Sequence, residues 1–373
     1  MLNTKEKIKK NKKGISLIVL VITIIVIVIL AVAVILTISN NNPIKNANKA
    51  RFQNDIKILQ EQLNIYSSKN LIDNNVYLFN ANSSTEENGV NVYECIFGDI
   101  ISNYKEKIDI INSKIYLKNN SFSEDELKWA LEINVKSTDD LKNEYISDGL
   151  VMNLDGYIYP EEGDKTYWKD ISGNGNDAYL QGDAKYNEED KSYSTNGGVI
   201  VVKRPKFNSL EDITMEILIR FDEVKNKNWN RYLSANNGST NAGLYPNATY
   251  NNQLLNIWYT NTSIYSTYSI AISGIGRKLE ENIDSTKFYH LSGSPYLGSE
   301  IEHKNGLYVD NEREDLDYYS GEKKEFLGDG YMRFNYHAYN NNSTIKMFRL
   351  YNRRLSEYEL TYNYNIDKYR YNI

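Results

Sequence analysis

The sequence has little cysteine, little histidine and no excess of positive charge, and each shortage excludes a class of protein. Cys95 is the only cysteine, so no internal disulfide can form and the fold depends on burial of an apolar core. The histidines, His290, His303 and His337, lie far apart without metal-ligand spacing, so each is expected to be a solvated or packing residue. The net charge of −6 argues against bulk nucleic-acid binding.

The length and the remaining composition favour more than one module. A chain of 373 residues is too long for one small domain, and about 100–200 residues per domain predicts two. Tyrosine is abundant, with 32 residues, and tyrosine rings stack on sugars while their hydroxyl groups form hydrogen bonds. AT-rich coding also favours tyrosine together with asparagine, lysine and isoleucine, so composition alone does not indicate a lectin.

The N-terminus combines a basic leader with a long apolar run. Six lysines and one glutamate precede Gly14, and no charged residue occurs from Ile15 to Ile38. At about 1.5 Å per residue this run is long enough to cross a bilayer, and it exceeds the apolar region of about 7–15 residues in a cleaved signal peptide. We therefore expect a basic leader at 1–14 and a transmembrane helix at 15–38, with the N-terminus cytoplasmic and the later domains extracellular.

The junction Lys12-Lys13-Gly14-Ile15-Ser16-Leu17 resembles the N-terminus of type IV prepilins and pseudopilins. The resemblance implies that a prepilin peptidase cuts between Gly14 and Ile15 and that Ile15 is then methylated. It also implies other pilin-like subunits as partners. The fifth mature residue, normally glutamate in that family, is Val19, which puts assembly into a filament shaft in doubt. A plain membrane anchor with a basic flank is the alternative, because the positive-inside rule alone gives such a flank.

Two regions follow the apolar run. Apolar residues spaced four, three, four and three apart predict an amphipathic stalk helix at 39–66, with a break near Pro43; they are Phe52, Ile56, Leu59, Leu63 and Tyr66. Residues 67–147 predict a small α+β pilin-like unit without chemistry of its own. Its expected elements are strands at 76–79 and 92–97, a hairpin at 108–117 that turns at Asn112-Ser113, and a helix capped by Ser123.

Residues 148–373 read as strands separated by turns rich in glycine, asparagine and aspartate. In Ile213–Phe221 the apolar residues alternate onto one face, which is typical of a strand in a sandwich or jelly roll. Four segments, in order, resemble the laminin-G-like, concanavalin A-like jelly-roll family; they are 149–155, 168–178, 305–312 and 348–356. The predicted fold is therefore α+β and multi-domain, with a long N-terminal transmembrane and stalk helix, a pilin-like unit and an all-β jelly roll.

Relatives with the jelly-roll fold include lectin modules and β-glucanases, and the sequence bears on both. Retaining glucanases carry a pair of catalytic carboxylates on one strand, but Ile213–Phe221 carries only Glu216. Hydrolysis of a polysaccharide is therefore not expected. Some family members bind Ca²⁺ through loop oxygens, and the turn with Asp170, Asn174, Asn176 and Asp177 can supply them. The same residues also suit a plain turn.

The candidate ligand-binding residues are Trp229, Asn230 and Tyr232, because Trp229 lies in a polar stretch. Trp168 and Trp258 are expected in the core. The sequence predicts a non-enzymatic, pilin-like surface protein that presents a jelly roll for binding a glycan or protein, with no required cofactor. The alternative is a membrane-anchored lectin outside any filament.

Overall fold

The computed structural model divides the chain into two compact units. One contains Met1–Ser68, Ala81–Asp109 and Lys114–Thr138, and the other contains Lys69–Asn80, Ile110–Ser113 and Asp139–Ile373. The structure describes residues 17–158, 166–203, 205, 213–222, 230–237, 253–262, 267–272, 275–279, 284–293, 306–313, 318–319, 330–335 and 342–373. The predicted region 67–147 is thus distributed between the two units rather than forming one piece.

Two helices begin the described chain, α1 (Leu17–Asn41) and α2 (Pro43–Asn74). The break falls at Asn42, as predicted, and proline suits the first position of α2 because a backbone N–H has no intrahelical partner there. The predicted apolar face of α2 is confirmed, since Phe52, Ile56, Leu59 and Leu63 are all buried. The helix runs to Asn74 instead of ending at the predicted position 66.

The membrane-spanning part of the predicted fold is wrong. Nowhere in the part of the chain that the structure describes does a helix combine the length and the apolar character needed to cross a membrane. The predicted transmembrane helix at 15–38, the membrane as a partner and the single-pass membrane localisation are corrected accordingly.

Short elements follow α2, and they differ from the prediction in two places. They are β1 (Glu86–Glu87), β2 (Val90–Asn91), α3 (Val92–Phe97), β3 (Ile108–Ile111), β4 (Lys114–Leu117), α4 (Glu124–Leu131) and β5 (Lys136–Ser137). Val92–Phe97 is a helix rather than a strand because the Asn91 side chain accepts a hydrogen bond from the Tyr93 N–H and caps it. The predicted strand at 76–79 is also absent from the described chain.

Two local predictions in this region are confirmed. The hairpin β3–β4 turns at Asn112 and Ser113, which take positive φ values of 52° and 59°. Ser123 caps α4, and the Glu126 side chain bonds back to the Ser123 N–H, which completes a capping box. Both features follow from neighbours in the sequence.

The remaining strands form two large sheets. The strands are β6 (Leu150–Asp155), β7 (Tyr167–Trp168), β8 (Ala178–Gln181), β9 (Lys185–Asn187), β10 (Ser192–Ser194), β11 (Val199–Lys203), β12 (Thr214–Phe221), β13 (Asn230–Asn237), β14 (Gln253–Thr262), β15 (Thr267–Ile272), β16 (Ile275–Leu279), β17 (Tyr289–Gly293), β18 (Leu307–Val309), β19 (Glu312–Arg313), β20 (Tyr318–Tyr319), β21 (Gly330–Phe334) and β22 (Ser343–Tyr351). The eight-stranded sheet has the order β19-β18-β17-β12-β22-β10-β9, with β6 also paired to β22. The nine-stranded sheet has the order β20-β16-β15-β14-β13-β21-β11-β8-β7.

One apolar core lies between these sheets, so the unit is a β-sandwich. Met215, Ile217 and Phe348 supply it from the eight-stranded sheet, and Ile200 and Phe334 supply it from the nine-stranded sheet. Trp168, predicted as a core residue, is fully buried there and stacks on Tyr193 with ring centroids 4.3 Å apart. The inward side of each strand is thus fixed by alternation of apolar residues.

The last helix, α5 (Glu357–Tyr371), is 15 residues long. Ser356 caps it with a second capping box that uses Glu359. Side chains on the non-core side of β12 are buried as well, among them Glu216 and Leu218, which the alternating pattern places on the exposed side. They bond or pack with residues of α5. The eight-stranded sheet is therefore covered on both faces in this region.

Candidate functional site

The predicted ligand-binding residues do not form a described site. Trp229 lies outside the described residues, and Asn230 is the first residue of β13. Tyr232 is fully buried and packs edge-on against Phe221, with ring centroids 4.5 Å apart. A side chain in that position contributes to the core and is closed to a ligand. Trp258 lies in β14.

The predicted processing residues Gly14 and Ile15 also lie outside the described residues. Val19, at the position where the prepilin family has glutamate, lies in α1 and is 50% exposed. The cleavage and methylation of this junction therefore stay predictions.

The structure brings together the four residues predicted for calcium, but it uses their side chains in hydrogen bonds. Asp170 is buried, and its carboxylate accepts from the backbone N–H groups of Asn153, Ser172 and Asn176, each at 2.9 Å. The Ser172 hydroxyl donates to the same carboxylate. Asp177 accepts a hydrogen bond from the Asp170 N–H at 2.8 Å. Four donors thus surround the carboxylate that a cation would need most.

The two asparagines of this loop complete the same network. The Asn176 side-chain amide donates to the Val151 carbonyl at 2.7 Å, and that of Asn174 donates to the carbonyls of Leu150 and Val151. Across the described ranges, no group of three or more histidine, cysteine or acidic side chains is placed to hold a metal ion. The loop is arranged as a hydrogen-bonded clip on β6, and calcium binding there stays a prediction.

A cluster of buried charges lies between the eight-stranded sheet and α5. Arg349 of β22 donates from Nε to Glu216 of β12 at 2.8 Å, and from Nη1 and Nη2 to the carboxylate of Asp367 in α5. All three side chains are fully buried. Opposite charges at this depth stabilise one another only when their remaining donors and acceptors are also satisfied.

Further polar side chains extend this cluster. His290 of β17 lies 3.1 Å from Asp367 through Nε2, and the Asn363 amide donates to both Glu216 and the Tyr351 hydroxyl at 2.9 Å. Such a network fixes the position of α5 on the sheet, because each bond has a defined direction.

A second group of the same kind lies toward the end of α5. Arg370 donates to Asp155 and, at 2.8 Å, to the hydroxyl of Tyr145. Tyr145 in turn donates to Asp367 at 2.7 Å, and Tyr371 donates to Asp155 at 2.8 Å. The two groups are therefore connected through Tyr145, whose ring also lies 4.1 Å from the Arg349 guanidinium carbon.

Burial and charge act in opposite directions on these groups. Burial by itself raises the pKa of Asp367, but the Arg349 charge and the His290 hydrogen bond outweigh it and hold the pKa well below its usual range. Burial, followed by the Asp367 charge, raises the pKa of the Tyr145 phenol well above its usual value. At neutral pH the Asp367 carboxylate is therefore ionised and Tyr145 keeps its proton. These states fit ion pairing between Asp367 and Arg349 and do not favour proton transfer between Tyr145 and Asp367.

Sequence reasoning missed this cluster. Glu216 and Arg349 are among the charged positions of two largely apolar strands, which is a signal of a polar or covered face. Asp367 gives no such signal, since it belongs to a helix that is polar along much of its length. Its role depends on where α5 packs.

The outward side of the nine-stranded sheet carries a row of side chains across four strands. Tyr167 pairs with Tyr179, Tyr179 pairs with Val201, and Val201 pairs with Arg333. Their chain neighbours belong to the core or pack against it, so alternation turns these four side chains away from it. Tyr179 is 56% exposed, whereas Val201 is only 8% exposed. The row thus offers an open aromatic ring and an arginine on one face.

No protein-family model matches this chain, and no curated protein matches it. A Trypanosoma rangeli sialidase in complex with sialic acid is 15% identical, with a TM-score of 0.40, over 60% of this chain and 33% of that chain. The binding domain of botulinum neurotoxin DC in complex with SialylT is 14% identical, with a TM-score of 0.38, over 59% of this chain and 51% of that chain.

The chain therefore spans about a third of the sialidase and about half of the toxin domain that it resembles. A likeness at these identities and TM-scores identifies neither a family nor an activity for this chain.

Proposed function

We propose that this chain is a non-enzymatic binding protein whose β-sandwich binds a glycan. The observation that carries the proposal is the outward side of β7 and β8 in the nine-stranded sheet, where Tyr179 is 56% exposed and Tyr167 pairs with it. Exposed aromatic rings on a flat sheet face provide the apolar surface on which a sugar ring packs. Their hydroxyl groups provide the polar contacts.

The covered face of the other sheet supports a role without catalysis. Retaining hydrolysis of a glycoside needs two carboxyl groups about 5–5.5 Å apart that both reach the substrate. The carboxyl groups of Glu216 and Asp367 are both bonded to Arg349 beneath α5, and neither is exposed. Groups held in this way can neither receive a sugar nor exchange a proton with it.

A glycan array with the full chain tests this proposal. We expect binding to a subset of saccharides and no release of reducing sugar from any bound polysaccharide over long incubation. Heat-unfolded protein on the same array controls for nonspecific adsorption. Turnover of a bound glycan would contradict the absence of catalysis, and a folded chain that binds no saccharide would contradict the glycan-binding function itself.

A finer proposal is that the chain is processed and assembled as a pilin-like subunit. The supporting observation is that two successive helices, α1 and α2, differ in how far their apolar side chains are buried. The apolar face of α2 is buried, whereas the large apolar side chains of α1 from Val19 to Val34 are 47–64% exposed. Exposed apolar surface of this extent needs a cover, and in an assembly of pilin-like subunits other copies of α1 supply it.

Mass spectrometry of the mature N-terminus tests the processing step. Coexpression with a prepilin peptidase should yield a chain that begins with methylated Ile15. Gly14→Val should block the cut, because a side chain at that position obstructs the extended backbone that a protease binds. An inactive peptidase serves as the control. A chain that keeps Met1 in the presence of the active peptidase would contradict the pilin-like proposal and leave the glycan-binding proposal intact.

A further inference from the structure

We propose that the outward face of the nine-stranded sheet binds a saccharide that carries a carboxylate, with Tyr179 against the sugar ring and Arg333 on the carboxylate. The inference rests on the glycan-binding function proposed above and gives it a site and a ligand class.

The strand register places the two groups at a suitable separation. Tyr179 and Arg333 are both partners of Val201, on the strands to either side of it. Neighbouring strands lie about 4.8 Å apart, so the two backbone positions are about 10 Å from each other. Val201, which is buried, lies on the strand between them. A ring stacked on Tyr179 can therefore extend a substituent over one intervening strand toward Arg333.

The charges on this face favour an anion. The outward positions of β7, β8, β11 and β21 include two cations, Lys203 and Arg333. Among these described outward positions there is no aspartate or glutamate. The chain as a whole has a net charge of −6, so a face with only positive charge is a local departure from its surroundings. Such a face raises the local concentration of an anionic ligand and favours it over a neutral one.

Arg333 differs from the other arginines of the sandwich. Arg349, Arg353 and Arg370 each form ion pairs, whereas the guanidinium group of Arg333 has no ion-pair or hydrogen-bond partner among the described residues. The guanidinium group presents N–H donors in a planar fork that matches both oxygens of a carboxylate. A sugar acid is therefore a ligand whose carboxylate can accept hydrogen bonds from the Arg333 guanidinium group.

Tyr179 has a second interpretation that does not involve a ligand. Its pairing with Tyr167 is a cross-strand aromatic pair, and such pairs stabilise a sheet. A purely structural pair predicts that Tyr179→Ala lowers stability and leaves binding unchanged. The ligand-binding interpretation predicts a loss of affinity in a chain that remains folded.

The test measures binding of the full chain by calorimetry to matched acidic and neutral saccharides. The pairs are oligogalacturonate with its carboxyl-reduced form, and sialyllactose with lactose. We expect at least one acidic member to bind about tenfold more tightly than its neutral partner, since hydrogen bonds between charged groups are stronger than those between neutral groups. Arg333→Gln should abolish that preference. Tyr179→Ala should weaken binding of both members of the pair, and Tyr179→Phe should retain most of it.

Two variants serve as matched controls, Arg313→Gln on β19 and Tyr358→Ala on α5, since both residues are exposed and lie away from this face. Urea unfolding of each variant shows whether it is folded. Glycan binding that is unchanged in folded Arg333→Gln and Tyr179→Ala would overturn this site while the proposed function stands. Equal affinity of the wild type for the acidic and neutral members of each pair would overturn the inference that the ligand carries a carboxylate. Failure to bind any saccharide would overturn both.

Discussion

Replacing Arg349 with methionine should lower the free energy of unfolding of the β-sandwich unit by about 3–5 kcal/mol. The variant leaves the carboxylates of Glu216 and Asp367 fully buried without the cation that both of them contact. An uncompensated charge in the interior is costly because the protein cannot replace its hydration. Urea unfolding followed by near-ultraviolet circular dichroism measures the change.

Arg353→Met is the matched control for this variant. Arg353 pairs with Glu359 and Asp148, but its side chain is 27% exposed, so water can solvate the partners that it leaves. We expect a cost of at most about 1 kcal/mol there. In the background of Arg349→Met, Glu216→Gln with Asp367→Asn should recover part of the loss, since it removes the unpaired charges. A cost for Arg349→Met no larger than that of the control would show that the cluster is not a buried ion-pair network.

Replacing Trp168 with alanine should cost about 3–5 kcal/mol in the same unit. Its side chain is fully buried in the core between the two sheets and stacks on Tyr193. Removing it opens a cavity that the surrounding strands cannot close, because both sheets are fixed by their own hydrogen bonds. Guanidinium unfolding measures the loss of stability.

Trp168→Phe separates the volume of the ring from its polar group. The indole N–H of Trp168 is buried and has no hydrogen-bond partner among the described residues, so phenylalanine loses no hydrogen bond there. It also keeps an aromatic ring that can stack on Tyr193. We expect a clearly smaller loss of stability than for alanine. Equal losses for the two variants would mean that stacking and volume at this position contribute little.

Local sequence patterns predicted local structure well. The apolar spacing of Phe52, Ile56, Leu59 and Leu63 gave the buried face of α2, because a helix brings residues three and four apart onto one side. Ser123 and Glu126 form the capping box that their spacing indicates. Val92–Phe97 was predicted incorrectly, since a short apolar run fits a strand or a helix and the cap at Asn91 decided between them.

The candidate sites depended more on tertiary structure. Tyr232 looked available for a ligand beside Trp229, but the sandwich buries it against Phe221. The acidic and amide groups from Asp170 to Asp177 suited calcium by composition, but the loop uses them in hydrogen bonds to its own backbone and to β6. In both cases the residue types were correct for the proposed chemistry and the surroundings were not visible in the sequence.

The sequence by itself determined the alternation that selects the core side of each strand, the positions of helix caps and turns, and the absence of any internal disulfide. These features depend on residues that are close together along the chain. Only the tertiary structure decided that α5 covers the eight-stranded sheet through Arg349 and Asp367, and that Tyr179 and Arg333 lie on one face of the nine-stranded sheet. Those relations join positions far apart in sequence, and only strand register and helix packing bring them together.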